Sequence, residues 1–97
     1  MEQDEKAGQD EQPAPRKLPI RIKLTKPINT GEGEITELIL KREPNGADWG
    51  PFNVQNPQIA DFQRVASKIS DLPLPIIKKM DTKATFELVE AVSGFLG

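Results

Sequence analysis

The sequence predicts an α+β fold, in which an N-terminal two-stranded antiparallel β-hairpin is followed by about three α-helices. Three observations support this prediction. Apolar and polar residues alternate from residue 18 to 25, and apolar residues return at helical spacing from 59 to 69 and from 86 to 96. A chain of 97 residues is long enough for one small domain. We therefore expect a single domain over residues 17–97.

The first 16 residues are predicted to form a disordered acidic arm. Residues 1–15 carry five acidic side chains against one lysine and few apolar groups, so they cannot bury enough surface to offset the entropy of ordering. Pro13 and Pro15 mark the end of the arm because each proline favours extended backbone before it. The whole chain has a formal charge of -2.

The hairpin is predicted between Leu18 and Pro44. Its first arm alternates strictly, with the apolar positions Leu18, Ile20, Ile22 and Leu24. Residues 27–33 contain the Asn and Gly residues of a turn. The returning arm is apolar on both faces, because Ile35 and Ile39 lie opposite Leu38 and Leu40. We expect Ile35 and Ile39 to be covered by a helix or by another copy of the chain, and propose them for self-association.

Three helical segments are predicted after the hairpin. Residues 45–53 read as an irregular link with one turn at Asp48, where Trp49 more often plugs a small core than stacks on a ligand. Asn56 and Pro57 resemble a helix start, and the helix should bury Ile59, Phe62, Val65, Ala66 and Ile69. A short helix from Pro75 to Met80 follows. Asp81 should cap the last helix, whose stripe contains Phe86, Val89, Val92 and Leu96, widened by Leu88 and Phe95.

The composition disfavours enzymatic chemistry. The chain contains no His, Cys or Tyr, which removes the usual neutral-pH base, the thiolate nucleophile and the commonest soft metal ligands. Gly31-Glu32-Gly33 lacks the remainder of a phosphate-binding loop, and the carboxylates do not match a calcium loop. We expect no enzyme activity, cofactor, metal or membrane span, and a soluble intracellular protein.

Nucleic-acid binding is a weaker alternative. Five basic residues come without an intervening acid, namely Arg16, Lys17, Arg21, Lys23 and Lys26. Acidic residues of the other arm should pair with them across the strands, at about 0.2–1 kcal/mol per pair. These are Glu32, Glu34 and Glu37. Aromatic platforms and clustered arginines, which usually accompany nucleic-acid binding, are missing.

The order of the motifs resembles the small tail assembly chaperones of long-tailed bacteriophages and prophages. The first half contributes Leu18-Pro19-Ile20, then the strand from Glu34 to Pro44 with Ile35-Thr36-Glu37-Leu38, and then Asp48. The second half contributes Val65 to Ile69, Leu72-Pro73, Ile77, Asp81, and the closing helix with Phe86, Val89, Phe95 and Leu96. The resemblance covers residues 18–96.

The resemblance implies a non-enzymatic role in the host bacterial cytoplasm. Such chaperones bind the long helical tape-measure protein and keep it soluble until the tail tube polymerises around it. In several relatives a frameshifted longer product adds a second domain, through which the tail tube protein is a further expected partner. The alternatives are a structural tail component retained in the virion and the nucleic-acid-binding regulator.

The residues proposed for partner contact are the apolar positions in excess of one core face. An amphipathic helix of the partner could lie against them by the helix-in-groove mode. They are Ile76, Ile77, Phe86, Val89, Phe95 and Leu96.

Overall fold

A computed structural model describes residues 17–96, and the acidic arm predicted at 1–16 lies outside this range. The elements in chain order are β1 (Ile20–Asn29), β2 (Glu34–Leu40), α1 (Gly46–Trp49), α2 (Ile59–Ser70), α3 (Leu74–Ile77), α4 (Thr82–Ser93) and one 3-10 turn (Gly94–Leu96). The predicted α+β class is confirmed. The described part of the chain contains four α-helices where about three were expected.

The hairpin is antiparallel, and its register breaks once. Ile22 lies opposite Leu38, and Lys23 opposite Glu37, but the next pair is Ile28 with Ile35. Four residues of β1, 24–27, therefore face one residue of β2, Thr36. A bulge of this kind bends the strand and increases its twist. Beyond the bulge Ile28 is buried, as Ile22 is before it.

One face of the hairpin and the helices beneath it form the core. Ile20, Ile22, Leu38 and Leu40 are each at most 3% exposed, and α4 packs against β1 while α2 packs against β2. The other buried apolar side chains of the described residues are Ile28 in β1, Met80 between α3 and α4, and the helical residues Phe62, Val65, Ala66, Ile69, Ile77, Ala84, Leu88, Ala91 and Val92. An isolated two-stranded hairpin is marginally stable in water, so this cover is what holds it.

The face of α4 that enters the core differs from the predicted stripe. Leu88 is fully buried, together with Ala84, Ala91 and Val92. Phe86, a member of the predicted stripe that we propose for partner contact, is 57% exposed. Positions 84, 88, 91 and 92 lie on one side of the helix and position 86 lies on the other, so burial of the small residues Ala84 and Ala91 together with Leu88 turns Phe86 outward. A prediction based only on large apolar residues overlooks Ala84 and Ala91, which are buried as well.

The start of α2 is also corrected. Its N-cap is Gln58 and not Asn56, and a capping box joins the backbone of Gln58 to the side chain of Asp61, N–H to Oδ2 at 2.8 Å. Ile59 then falls in the first turn and is 44% exposed, whereas the predicted core positions Phe62 and Ile69 are buried. The helix begins two residues later than the Asn-Pro signal indicates.

Trp49 belongs to an aromatic series at the edge of the core. Its ring meets that of Phe52 edge to face, with centroids 5.0 Å apart, and Phe52 meets Phe62 in the same way at 5.1 Å. Trp49 and Phe52 are half-buried and pack against the core cluster. The series fastens the short helix α1 to α2, which agrees with the expected role of Trp49 as a core plug.

Truncation of α4 side chains tests this orientation. We expect Leu88→Ala to lower the free energy of unfolding by about 2–5 kcal/mol, because it leaves a cavity in the core. Phe86→Ala should change it by no more than about 0.5 kcal/mol, because that side chain is mostly in water. Urea unfolding followed by Trp49 fluorescence measures both. A larger loss for Phe86→Ala than for Leu88→Ala would contradict the packing described.

Candidate partner-binding surfaces

Asp81 connects the bulge of β1 to the start of α4. Its carboxylate accepts a hydrogen bond from the backbone N–H of Ala84 at 2.9 Å, as an N-cap does. It also accepts from the backbone N–H of Thr25 at 2.7 Å and from the Thr25 hydroxyl at 3.3 Å. One side chain thus caps the helix, as predicted, and satisfies backbone that the bulge has removed from the ladder.

A second carboxylate joins the end of β2 to α1. Asp48 is buried and receives two hydrogen bonds from the guanidinium of Arg42, one of them from Nη2 at 3.2 Å. It also accepts from the backbone N–H of Asn45 at 2.8 Å, and the Asn45 side chain accepts from the Asp48 N–H. Arg42 further donates to the carbonyl of Lys68 in α2 at 3.3 Å. Asp48 and Arg42 therefore connect the end of β2 to α1 and α2.

These hydrogen bonds stabilise the charged carboxylates. Donation from the N–H of Ala84 lowers the pKa of Asp81, and Thr25 acts in the same direction against the effect of burial. The Arg42 guanidinium lowers the pKa of Asp48, helped by the N–H of Asn45. The N–H of Gln58 lowers the pKa of Asp61, with a smaller effect from Arg64. All three groups have structural partners that explain their shifts.

The outer face of β2 borders an apolar groove, which we call the β2 groove. The carbonyl of Ile69 accepts a hydrogen bond from the N–H of Lys41 at 2.9 Å. The following residues, 70–76, run back along β2 towards the hairpin tip, and we call them the returning segment. Two adjoining hollows lie between the strand and this returning segment, with volumes of about 520 and 200 Å³. Their shared lining consists of Ile35 and Leu72, and Ile39 and Ile76 extend it in opposite directions. All four side chains are half-buried.

The two ends of the β2 groove differ in charge. At the hairpin-tip end, Glu32, Glu34 and Asp71 line the larger hollow. Glu32 and Glu34 are exposed, and neither forms an ion pair with another described residue. Lys41 lines the smaller hollow, and its ammonium group lies 3.5 Å from the Asp71 carboxylate, in a pair whose two side chains are 56% and 72% exposed. Such a pair is worth little in water.

A second accessible apolar surface lies on the outer side of α4. Phe86 and Leu96 are 57% and 48% exposed, and Val89 is half-buried. Their spacing of three and seven residues places them along one side of the helix and its 3-10 extension. We call this set the α4 stripe. Phe95, one residue before Leu96, is half-buried and packs against the core, as Val89 also does, and we do not include it in the stripe.

The six residues proposed for partner contact are thus divided by the fold. Ile77 is 1% exposed and belongs to the core, so it has to be removed from the set. Ile76 turns the other way and lines the β2 groove with Ile35. Phe86, Val89 and Leu96 form the α4 stripe. The self-association pair Ile35 and Ile39 also lines the β2 groove.

The groove depends on residues that sequence reasoning did not select. Leu72 lines both hollows, but in the sequence it appears only as part of a Leu-Pro helix stop. Glu32 and Glu34 were expected to pair with bases across the hairpin. The sequence signal for this groove is the pair Ile35 and Ile39 on a strand face that is otherwise polar. It indicates that something covers these side chains, but it does not identify Leu72.

The basic residues of β1 are only partly neutralised across the strands. Arg21 lies 3.2 Å from Glu37, and this is the cross-strand ion pair found within residues 17–96. Lys23, Lys26 and Lys17 have no ion pair there, and Arg16 lies outside the described range. The remaining ion pairs of arginine, Arg42 with Asp48 and Arg64 with Asp61, fix local structure.

Comparisons with known proteins found no matching family model, curated protein or solved structure. Within residues 17–96, no helix has the length and apolar character required to cross a bilayer. The same residues contain no group of three or more carboxylates placed to hold a metal ion.

The lowered pKa values predict how stability depends on pH. A carboxylate with a lowered native pKa contributes stability above its unfolded pKa, about 4, and this contribution is lost as the pH falls through the native pKa. We therefore expect the urea concentration at the midpoint of unfolding to decrease once the pH drops below about 4. Asp81→Asn should lower the midpoint at pH 7 and make the fall on acidification shallower, because one of the three titrating groups is gone.

The control for this measurement is Asp71→Asn, which alters an exposed carboxylate in a weak surface pair. It should leave the midpoint at pH 7 close to that of the wild type. If Asp81→Asn matches the wild type at pH 7 and shows the same acid dependence, Asp81 does not clamp the bulge to α4.

Proposed function

We propose that the chain is a phage or prophage tail assembly chaperone, which binds the tape-measure protein and keeps it soluble until the tail tube polymerises. The observation that carries the proposal is accessible apolar surface on a domain whose core is already complete. Phe86 and Leu96 stand about half in water although fifteen apolar side chains are buried without them. Apolar side chains placed together in this way are typical of binding surfaces.

The chemistry of such a partner fits the surfaces. A tape-measure protein is long and helical, and its helices must present apolar stripes as long as the tail tube has not enclosed them. A stripe of this kind can be covered by the α4 stripe, the β2 groove or both, in the helix-in-groove mode. The order of sequence motifs from Leu18 to Leu96, which resembles the chaperone family, supports the same proposal.

Co-expression with the tape-measure protein of the same phage or prophage genome tests the proposal. We expect the soluble amount of the tape-measure protein to rise when this chain is present, and the two proteins to co-purify. Phe86→Ser should reduce that rescue, because it removes an exposed apolar contact without opening the core. The measurement is the soluble fraction of the tape-measure protein after centrifugation.

The matched control is Val54→Ser, which also removes an exposed apolar side chain, 70% exposed, from outside both surfaces. It should rescue as the wild type does. The proposal is wrong if the tape-measure protein precipitates equally with and without the wild-type chain.

A further inference from the structure

The β2 groove has the features of a docking site, and it joins Ile35, Ile39 and Ile76, which the sequence singles out, to Leu72, which it does not. A two-stranded sheet covered by helices on one face normally turns a polar face to water. Here Ile35 and Ile39 stand on that outer face, and Leu72 and Ile76 meet them from the returning segment. These four side chains line one continuous, half-buried apolar floor.

The groove is long enough for two turns of helix. Ile35 and Ile39 are four residues apart on a strand, which places them about 13 Å apart at a rise of about 3.3 Å per residue. Two helical turns advance about 11 Å, so apolar residues seven or eight apart on a helix match the two isoleucines. The two hollows of about 520 and 200 Å³ can each receive an apolar side chain.

The charge at the rim selects the occupant. Glu32 and Glu34 have no ionic partner among the described residues, and Asp71, which lines the same hollow, forms its ion pair with the exposed Lys41. An apolar segment with lysine or arginine at its end would place its positive charge beside these carboxylates. An acidic segment would be repelled, which costs affinity and slows association.

We propose that the β2 groove binds an amphipathic helix with two apolar anchors about two turns apart and basic residues at the hairpin-tip end. The apolar lining of the groove predicts the apolar anchors of this occupant, and the acidic rim predicts its basic residues. Its helical conformation rests on the proposed function, which supplies a helical partner. A second copy of the chain fits less well. If two β2 strands paired antiparallel with Ile35 of one copy opposite Ile39 of the other, the two Glu37 side chains would lie directly opposite each other, and like charges in that position are destabilising.

The test uses synthetic helices as probes. One peptide of roughly 18 residues carries leucines at helical spacing with lysines between them, and its counterpart carries glutamates instead. The full chain, labelled with ¹⁵N, is titrated with each peptide and its amide shifts are mapped. We expect the lysine peptide to shift the amides of residues 34–40 and 71–77, and the glutamate peptide to bind about tenfold more weakly or not at all.

Two variants locate the contact. Ile35→Ser removes part of the floor, and the double variant Glu32→Lys/Glu34→Lys reverses the rim, so each should weaken binding of the lysine peptide about tenfold. The matched controls are Ile59→Ser, an exposed isoleucine on α2, and the double variant Glu43→Lys/Glu87→Lys. Both controls should bind as the wild type does. An unchanged spectrum away from the substitution shows that each variant is folded.

Several outcomes would overturn the inference. Shifts confined to residues 2–11 would assign binding to the acidic arm, and equal binding of both peptides would remove the charge argument. Groove shifts that grow with protein concentration without peptide would make a second copy the occupant. Groove variants that bind like the controls would also contradict it.

This inference and the proposed function can fail separately. If the wild type rescues the tape-measure protein and Ile35→Ser rescues it equally, the groove inference is wrong and the proposed function stands. If the lysine peptide binds the groove but the wild type rescues nothing, the proposed function is wrong and the groove remains a binding site.

Discussion

The domain depends on the helical cover of one face of a two-stranded hairpin, which by itself is only marginally stable in water. The inner face is covered by α2 and α4 through Ile20, Ile22, Leu38 and Leu40, and this contact creates the core. Two groups of side-chain hydrogen bonds hold the helices in place against this face. Asp81 fixes α4 to the bulge of β1, and the Arg42–Asp48 pair fixes α1 and α2 to the end of β2.

The same arrangement leaves apolar groups on the outside. With α2 and α4 on the inner face, no element within residues 17–96 lies across Ile35 and Ile39, and the segment after α2 passes beside them and leaves the β2 groove open. On α4, the small residues Ala84 and Ala91 are buried on the same side of the helix as Leu88, which turns Phe86 outward. The accessible apolar surface is therefore a consequence of how the core is built, and binding a partner would use it.

Sequence patterns predicted the elements better than their orientation. Strict alternation identified β1, and the acidic residue Asp81 marked the start of α4, because both signals are local. The bulge at 24–27 and the turn of α4 depend on tertiary contacts, which a single pattern does not contain. For the same reason Ile77 was placed on the surface and Ile59 in the core, the reverse of their burial. Leu72 belongs to the candidate site because residues 70–76 run beside β2, and a local sequence pattern does not predict that path.

The most direct test of the account is hydrogen exchange of the full chain, alone and mixed with the tape-measure protein that we propose as its partner. We expect amides in residues 34–40 and 71–77 to exchange more slowly in the complex, because a helix in the β2 groove would exclude water from both walls. The buried residues of α4 around Leu88 should change little. If the complex forms and both segments exchange as they do in the free chain, the partner does not bind the groove and the central claim is contradicted.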